Sequence, residues 1–170
     1  MNLKKNLVFL GMMGSGKSSI GYLISKKLAL EFIDVDNLII EECGISISEI
    51  FKTKGEAYFR NLEEKITLKA LKGVNKIISL GGGGFINNKI RNEVLQNHFS
   101  FWLNWDVSTL LNRIKNSKKR PIAFHSNDQE IKHIIKTRAK IYSKAQFKIN
   151  CNKLTKTEIV KKVIKIYELN

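Results

Sequence analysis

Short apolar runs alternate with amphipathic stretches along the chain. The apolar runs are Leu7–Leu10, Phe32–Val35, Ile77–Leu80, Phe99–Leu103 and Phe147–Cys151. Helical spacing of apolar positions appears between them and after the last, near Lys17–Leu28, Glu56–Leu71, Ile90–Gln96, Val107–Ile114, Gln129–Ile141 and Glu158–Tyr167. Strands alternating with helices are the pattern of βα units packed on a parallel sheet, so the expected architecture is a three-layer α/β domain with a five-stranded sheet. Capping residues support two of the helix starts: Asp106 before Val107, and Thr155 or Thr157 before the last helix. The polar segment from Asn116 to Asp128 carries the only proline, Pro121, and joins two helical patterns. A connection of that length in a compact domain reads as a functional loop.

With 170 residues, the chain is expected to form one domain spanning 1–170, with enough apolar content to bury a core. Leu7–Leu10 is too short for a secretory signal and runs into Gly14-Ser15-Gly16-Lys17, not into a small-residue cleavage site. No uncharged apolar stretch approaches the ~18 residues a membrane span needs. Cys43 and Cys151 form no CxxC pair and read as reduced thiols, which predicts a cytoplasmic protein. The formal net charge of +15 admits a nucleic-acid reading. The lysines are scattered, however, without a basic block or an aromatic platform, and an anionic small molecule suits the charge equally well. No nucleic-acid partner and no membrane are therefore expected, and the absence of an obvious extra apolar face makes a monomer the expectation.

Gly11-Met12-Met13-Gly14-Ser15-Gly16-Lys17-Ser18 fits the pattern G-x-x-x-x-G-K-[ST], directly after an apolar run and before a helical one. Such a loop curls its backbone N–H groups around a triphosphate, and the helix N-terminus adds a favourable dipole. Lys17 would reach the β- and γ-phosphates of ATP, and the Ser18 hydroxyl would hold Mg²⁺. The motif does not choose among kinase, GTPase and transporter. The third strand ends in Ser79-Leu80-Gly81 without an acid, so a metal-organising carboxylate must come from elsewhere.

Asp34 and Asp36 stand at the C-terminal end of the second expected strand, the edge where open α/β sheets bind ligands. On an extended chain a spacing of two would put both carboxylates on one side. One would steer Mg²⁺ and its water, and the other would accept a hydrogen bond from a substrate hydroxyl and help remove its proton. Asp36 also fits a plainer role, capping a helix that begins near Asn37. Gly81-Gly82-Gly83-Gly84 follows the third strand at the same edge and permits close approach of a ligand.

The P-loop, Phe32-x-Asp34-x-Asp36, Gly55-Glu56-x-x-Phe59-Arg60, Ser79-Leu80-Gly81-Gly82-Gly83 and Lys119-Arg120-Pro121, in this order, resemble shikimate kinase over nearly the whole length. The resemblance implies a P-loop kinase fold with a mobile lid at about 115–127, and transfer of a phosphoryl group from Mg·ATP to the 3-hydroxyl of shikimate, a step towards aromatic amino acids. Gly14, Ser15, Gly16, Lys17, Ser18 and Ser19 would bind ATP. Asp34 would organise the metal through water, with Ser79 as a further candidate, and Asp36 would hold the attacking hydroxyl as general base. Arg60, Gly82 and Arg138, the last matched through Arg138-x-x-x-Tyr142, would bind shikimate. Arg120 would close over the transferring group, and Arg113 resembles the family's adenine-stacking arginine.

Physical chemistry favours the same residue types. Phosphoryl transfer spreads charge over equatorial oxygens, so a lid arginine supplied in cis raises the rate while excluding water. The planar fork of arginine suits a carboxylate. Simpler roles also fit: Arg60 has Glu63 and Glu64 at i+3 and i+4 for a surface ion pair, and Arg120 fits a solvated loop charge. Met12 stands where the family usually has proline, Gly84 extends the glycine run, and the lid continues Ile-Ala-Phe-His after Pro121. Other P-loop kinases acting on gluconate or a nucleoside monophosphate, or a non-catalytic nucleotide-dependent RNA binder, are the alternatives.

Overall fold

The computed structural model describes residues 5–116 and 127–170. Five strands, β1 (Leu7–Leu10), β2 (Glu31–Asp34), β3 (Lys76–Ser79), β4 (Phe99–Asn104) and β5 (Phe147–Asn150), form one sheet in the order β2-β3-β1-β4-β5. Every pairing is parallel, with Val8 beside Ile78 on one side and Ser100 on the other. The described helices are α1 (Lys17–Leu28), α2 (Val35–Cys43), α3 (Ile47–Leu71), α4 (Asn88–Asn97), α5 (Val107–Lys115), α6 (Asp128–Tyr142) and α7 (Lys156–Glu168).

Alternation along β1 divides the core in two. Leu7 and Phe9 pack with Ile20 and Ile24 of α1 and with Ile159, Val160 and Val163 of α7. Val8 and Leu10 pack on the opposite face, with residues of α2, α3, α4, α5 and α6. The three layers follow from period-two alternation between two buried faces, which is why β1 reads as an unbroken apolar run. α1 sits close on the sheet because position 21 is glycine: a Cβ there would lie 2.7 Å from Phe32 Cε2.

Two helical segments depart from the sequence pattern. Val35 opens α2 and does not extend β2, because the Asp34 side chain accepts hydrogen bonds from the N–H groups of Asp36 and Asn37 at 3.0 and 3.3 Å and starts the helix. Helix α3 begins at Ile47, capped by Ser46 Oγ, and is interrupted at Gly55 (φ 80°, ψ 170°) before resuming at Glu56, the expected start. Asp106 and Thr155 cap α5 and α7, and Thr155 does so through a reciprocal capping box with Glu158.

The switch in strand connection falls between β1 and β3, since β1 leads to one side of the sheet and β3 returns to the other. The P-loop after β1 and the glycine run after β3 are therefore neighbours at the C-terminal edge, the position where such folds bind ligands. Among the described residues no helix is long and apolar enough to cross a membrane. Cys43 and Cys151 are free thiols.

Candidate active site

The P-loop is built from backbone conformations that favour glycine. Gly11, Gly14 and Gly16 all have positive φ, and a Cβ on Gly11 would stand 3.0 Å from the Leu103 carbonyl. The Ser15 N–H closes a turn on the Met12 carbonyl at 3.1 Å. Helix α1 begins with Gly16 as N-cap and no side-chain capping bond, the kind of helix start at which an anion is favoured. Lys17 is 7% exposed, and its Nζ donates to the carbonyls of Gly11 and Met12 at 3.0 and 3.1 Å. Ser18 and Ser19 are exposed on the first turn. Ser15 Oγ is buried and lacks a hydrogen-bond partner among the described residues.

On the neighbouring strands, Asp34 and Ser79 are register partners at the ends of β2 and β3. The two aspartates do not share one side of an extended chain, because the backbone turns helical at Val35. Asp34 is the helix cap, and Asp36, on the first helical turn, reaches the glycine run instead. An ideal Cβ built on Gly81 would fall 2.7 Å from Asp36 Oδ1 and 2.6 Å from Glu63 Oε1. Glycine is required there by the room these two carboxylates occupy.

Cationic and acidic groups complete the wall. Arg60 Nη1 donates to Glu63 Oε2 at 2.7 Å and its Nη2 to Glu56 Oε1 at 3.2 Å, while Glu64 pairs instead with Lys89. The Arg60 guanidinium fills the space a Cβ on Gly83 would occupy. Arg138 Nη1 donates to the Gly82 carbonyl at 3.3 Å, and the Tyr142 hydroxyl donates to the same oxygen. Gly82 in turn lies against Met13 of the P-loop, whose backbone N would stand 3.4 Å from a Cβ added at position 82. Asp36, Arg60, Gly82 and Arg138 thus converge on one stretch of backbone beside the phosphate loop.

Glu63 is the group that sequence reasoning read only as a surface partner. It is 2% exposed. Burial pushes its pKa up, the Arg60 and Arg138 guanidiniums oppose that shift, and the Asp36 carboxylate adds to it. Arg60 keeps its charge for the reciprocal reason: burial works against it, and the Glu63 and Glu56 carboxylates more than compensate. Burial likewise drives Tyr142 up to about 12, so its hydroxyl remains a proton donor to Gly82.

On the other flank of the P-loop a cleft of about 370 Å³ is lined by Gly16, Ile20, Trp105, Arg113, Leu154 and Ile159, among others. Arg113 lies with Cζ 3.8 Å from the centre of the Trp105 ring, and its Nη1 donates to the Gly14 carbonyl at 3.3 Å. Arg120, expected in the lid with Lys119 and Pro121, lies outside the described residues.

The shikimate kinase family model matches residues 13–168 of the chain. This chain belongs to the shikimate kinase family. A shikimate kinase from Sulfurihydrogenibium sp. is 36% identical over 160 residues, covering 94% of this chain and 96% of that protein. One from Bartonella henselae is 38% identical, covering 94% of this chain and 76% of that protein. Among solved structures, the shikimate kinase of Acinetobacter baumannii in complex with shikimate superposes with a TM-score of 0.93 at 26% identity, covering 98% of this chain and 94% of that one. The shikimate kinase of Aquifex aeolicus gives a TM-score of 0.86 at 37% identity, covering 96% of each chain. A deoxyadenosine kinase from M. mycoides at 18% identity and a gluconokinase from Sinorhizobium meliloti at 16% share the fold. As a shikimate kinase family member the chain is an ATP-dependent phosphotransferase with the P-loop kinase architecture.

Proposed function

We propose that the chain transfers the γ-phosphoryl group of Mg·ATP to the 3-hydroxyl of shikimate, giving shikimate 3-phosphate and ADP, as a cytoplasmic monomer. The observation that carries this reading is the convergence of Asp36, Arg60, Gly82 and Arg138 beside the P-loop. Two guanidiniums along the glycine run suit a carboxylate, and the Asp36 carboxylate at the start of the same run suits a hydroxyl that must lose its proton.

Lys17 would exchange the Gly11 and Met12 carbonyls for the phosphates, while Gly14, Ser15, Gly16, Ser18 and Ser19 supply N–H and hydroxyl donors around them. Arg60 and Arg138 grip the substrate carboxylate, with Glu63 holding the Arg60 fork in orientation. Asp36 accepts the hydrogen bond from the attacking hydroxyl and takes its proton as the bond to phosphorus forms. Arg120 would stabilise the charge that develops on the transferring group, and Arg113 would stack on adenine. Mg²⁺ neutralises phosphate charge when bound. The donors on the chain suit it: the exposed Ser18 hydroxyl, and Asp34 through water, its Oδ1 already engaged as the α2 cap. Such a sparse set fits an ion that keeps several waters and takes few protein oxygens.

Asp36→Asn tests the assignment. It should lower kcat by at least about 100-fold, with shikimate and ADP still bound in calorimetric titrations. Near-normal turnover would remove Asp36 from the mechanism.

A further inference from the structure

Trp105 sits in the short link between β4 and α5, half-buried, and makes two unrelated contacts with one ring. Its Nε1–H donates to the Ser15 carbonyl at 2.9 Å, bridging 90 positions of sequence. Its face carries the Arg113 guanidinium, with Cζ 3.8 Å from the ring centroid. Both side chains also line the cleft beside the P-loop.

The first contact acts on the phosphate end of that cleft. In a trans peptide unit the C=O and the following N–H point in opposite directions. Holding the Ser15 carbonyl on the indole therefore turns the Gly16 N–H the other way. Gly16 is the N-cap of α1, in the left-handed region at φ 89°, and a Cβ there would meet nothing within 4 Å. That N–H belongs to the N-cap residue of a helix, a terminus where an anion is favoured.

The second contact acts on the base end. Arg113 is solvent-exposed, and a long side chain in water samples many rotamers, which must be frozen before it can serve as a stacking face. Stacking on the indole and the bond from Nη1 to the Gly14 carbonyl fix the guanidinium plane before any nucleotide arrives.

We infer that Trp105 is a positioning residue for the nucleotide, one indole that orients the Ser15–Gly16 peptide for phosphate and the Arg113 guanidinium for the adenine base. The inference rests on the reading of this cleft as the site of the base, and three variants separate the two. Trp105→Phe keeps an aromatic face for Arg113 and loses the N–H. Trp105→Leu loses both, and Arg113→Ala removes the stacking group alone.

ADP affinity by calorimetry and the KM values for ATP and shikimate are the readouts. Trp105→Phe should weaken ADP binding and raise the ATP KM by about fivefold, the loss of one hydrogen bond. Trp105→Leu should add roughly another fivefold from the lost cation–π contact. The shikimate KM at saturating ATP should stay within about twofold of wild type, a split that a merely structural role would not produce. If both Trp105 variants bind ADP like wild type while Arg113→Ala weakens it, the cleft reading stands and the role of Trp105 is overturned. A shikimate KM that rises in step with the ATP KM would overturn that role equally. If Arg113→Ala leaves ADP affinity unchanged, the cleft reading fails and the inference fails with it.

Discussion

Glu63 shows how a buried charge can serve a surface reaction. Its carboxylate has lost most of its water, and its compensation is Arg60 at 2.7 Å on one side and the nearby Arg138 on the other. A raised carboxyl pKa means that the folded protein binds this proton more tightly than the unfolded chain does. That contribution to stability is present at acid pH and is lost as pH rises through the raised value. Function runs the other way, because the ionised Glu63, alongside Glu56, holds the Arg60 fork more strongly than the protonated acid does. The shikimate KM should therefore climb on acidification in a window above the ordinary carboxylate pKa of 4.5, while the ATP KM stays level. Glu63→Gln should raise the shikimate KM by roughly tenfold at neutral pH and flatten that dependence. A Glu63→Gln enzyme with the wild-type shikimate KM would remove Glu63 from the substrate site. Residues such as Asp36, Arg60 and Arg138 were legible because they sit in short motifs with fixed neighbours. Glu63 and Trp105 were not, since what gives them meaning is contact with positions 81 and 15, and no local spacing records such a meeting.

At the level of elements, the strand-to-loop junctions carry the site. β1 ends in a loop bent by glycines of positive φ, and β3 ends in a run that must leave room for two carboxylates and a guanidinium. The ends of β1, α1 and α3 followed directly from apolar spacing, because each stops where the period breaks. The α2 boundary was hidden, since Phe32-Ile33-Asp34-Val35 continues the strand pattern and only the Asp34 cap, a contact with the N–H groups two and three residues later, ends it. The first part of α3 was hidden by Gly55, which interrupts the helical run eight residues after Ile47. Gly81→Ala tests the junction after β3. Its Cβ would fall within 2.7 Å of both Asp36 Oδ1 and Glu63 Oε1, so kcat/KM for shikimate should fall by about 100-fold, with ADP affinity within about twofold of wild type. Wild-type kcat/KM in that variant would mean that these carboxylates have more freedom than the packing shows.

Across the whole molecule, two apolar layers enclose a sheet whose far end must also be kept closed. His98, at the junction of α4 and β4, is 4% exposed, and neither ring nitrogen has a hydrogen-bond partner among the described residues; Glu93 Oε1 stands 3.6 Å from Nε2. Burial lowers its pKa, Glu93 opposes the shift and Lys5 reinforces it. A depressed pKa contributes stability above the ordinary histidine value of 6.5 and loses it as pH falls through the folded value. The thermal midpoint should drop as pH is lowered below 6.5, and His98→Leu should reduce that slope; an unchanged slope would place the acid sensitivity elsewhere.

On the proposed function, the two flanks of the P-loop act as one catalyst, the cleft around Arg113 and Trp105 taking the nucleotide and the wall around Arg60 and Arg138 taking the acid. The most direct measurement is ADP release coupled to a reporter, with ATP and Mg²⁺ present and shikimate, gluconate or AMP offered separately as acceptor. The geometry predicts turnover that depends on shikimate and stays at background with the other two. Turnover driven by gluconate or AMP, with shikimate inert, would contradict it.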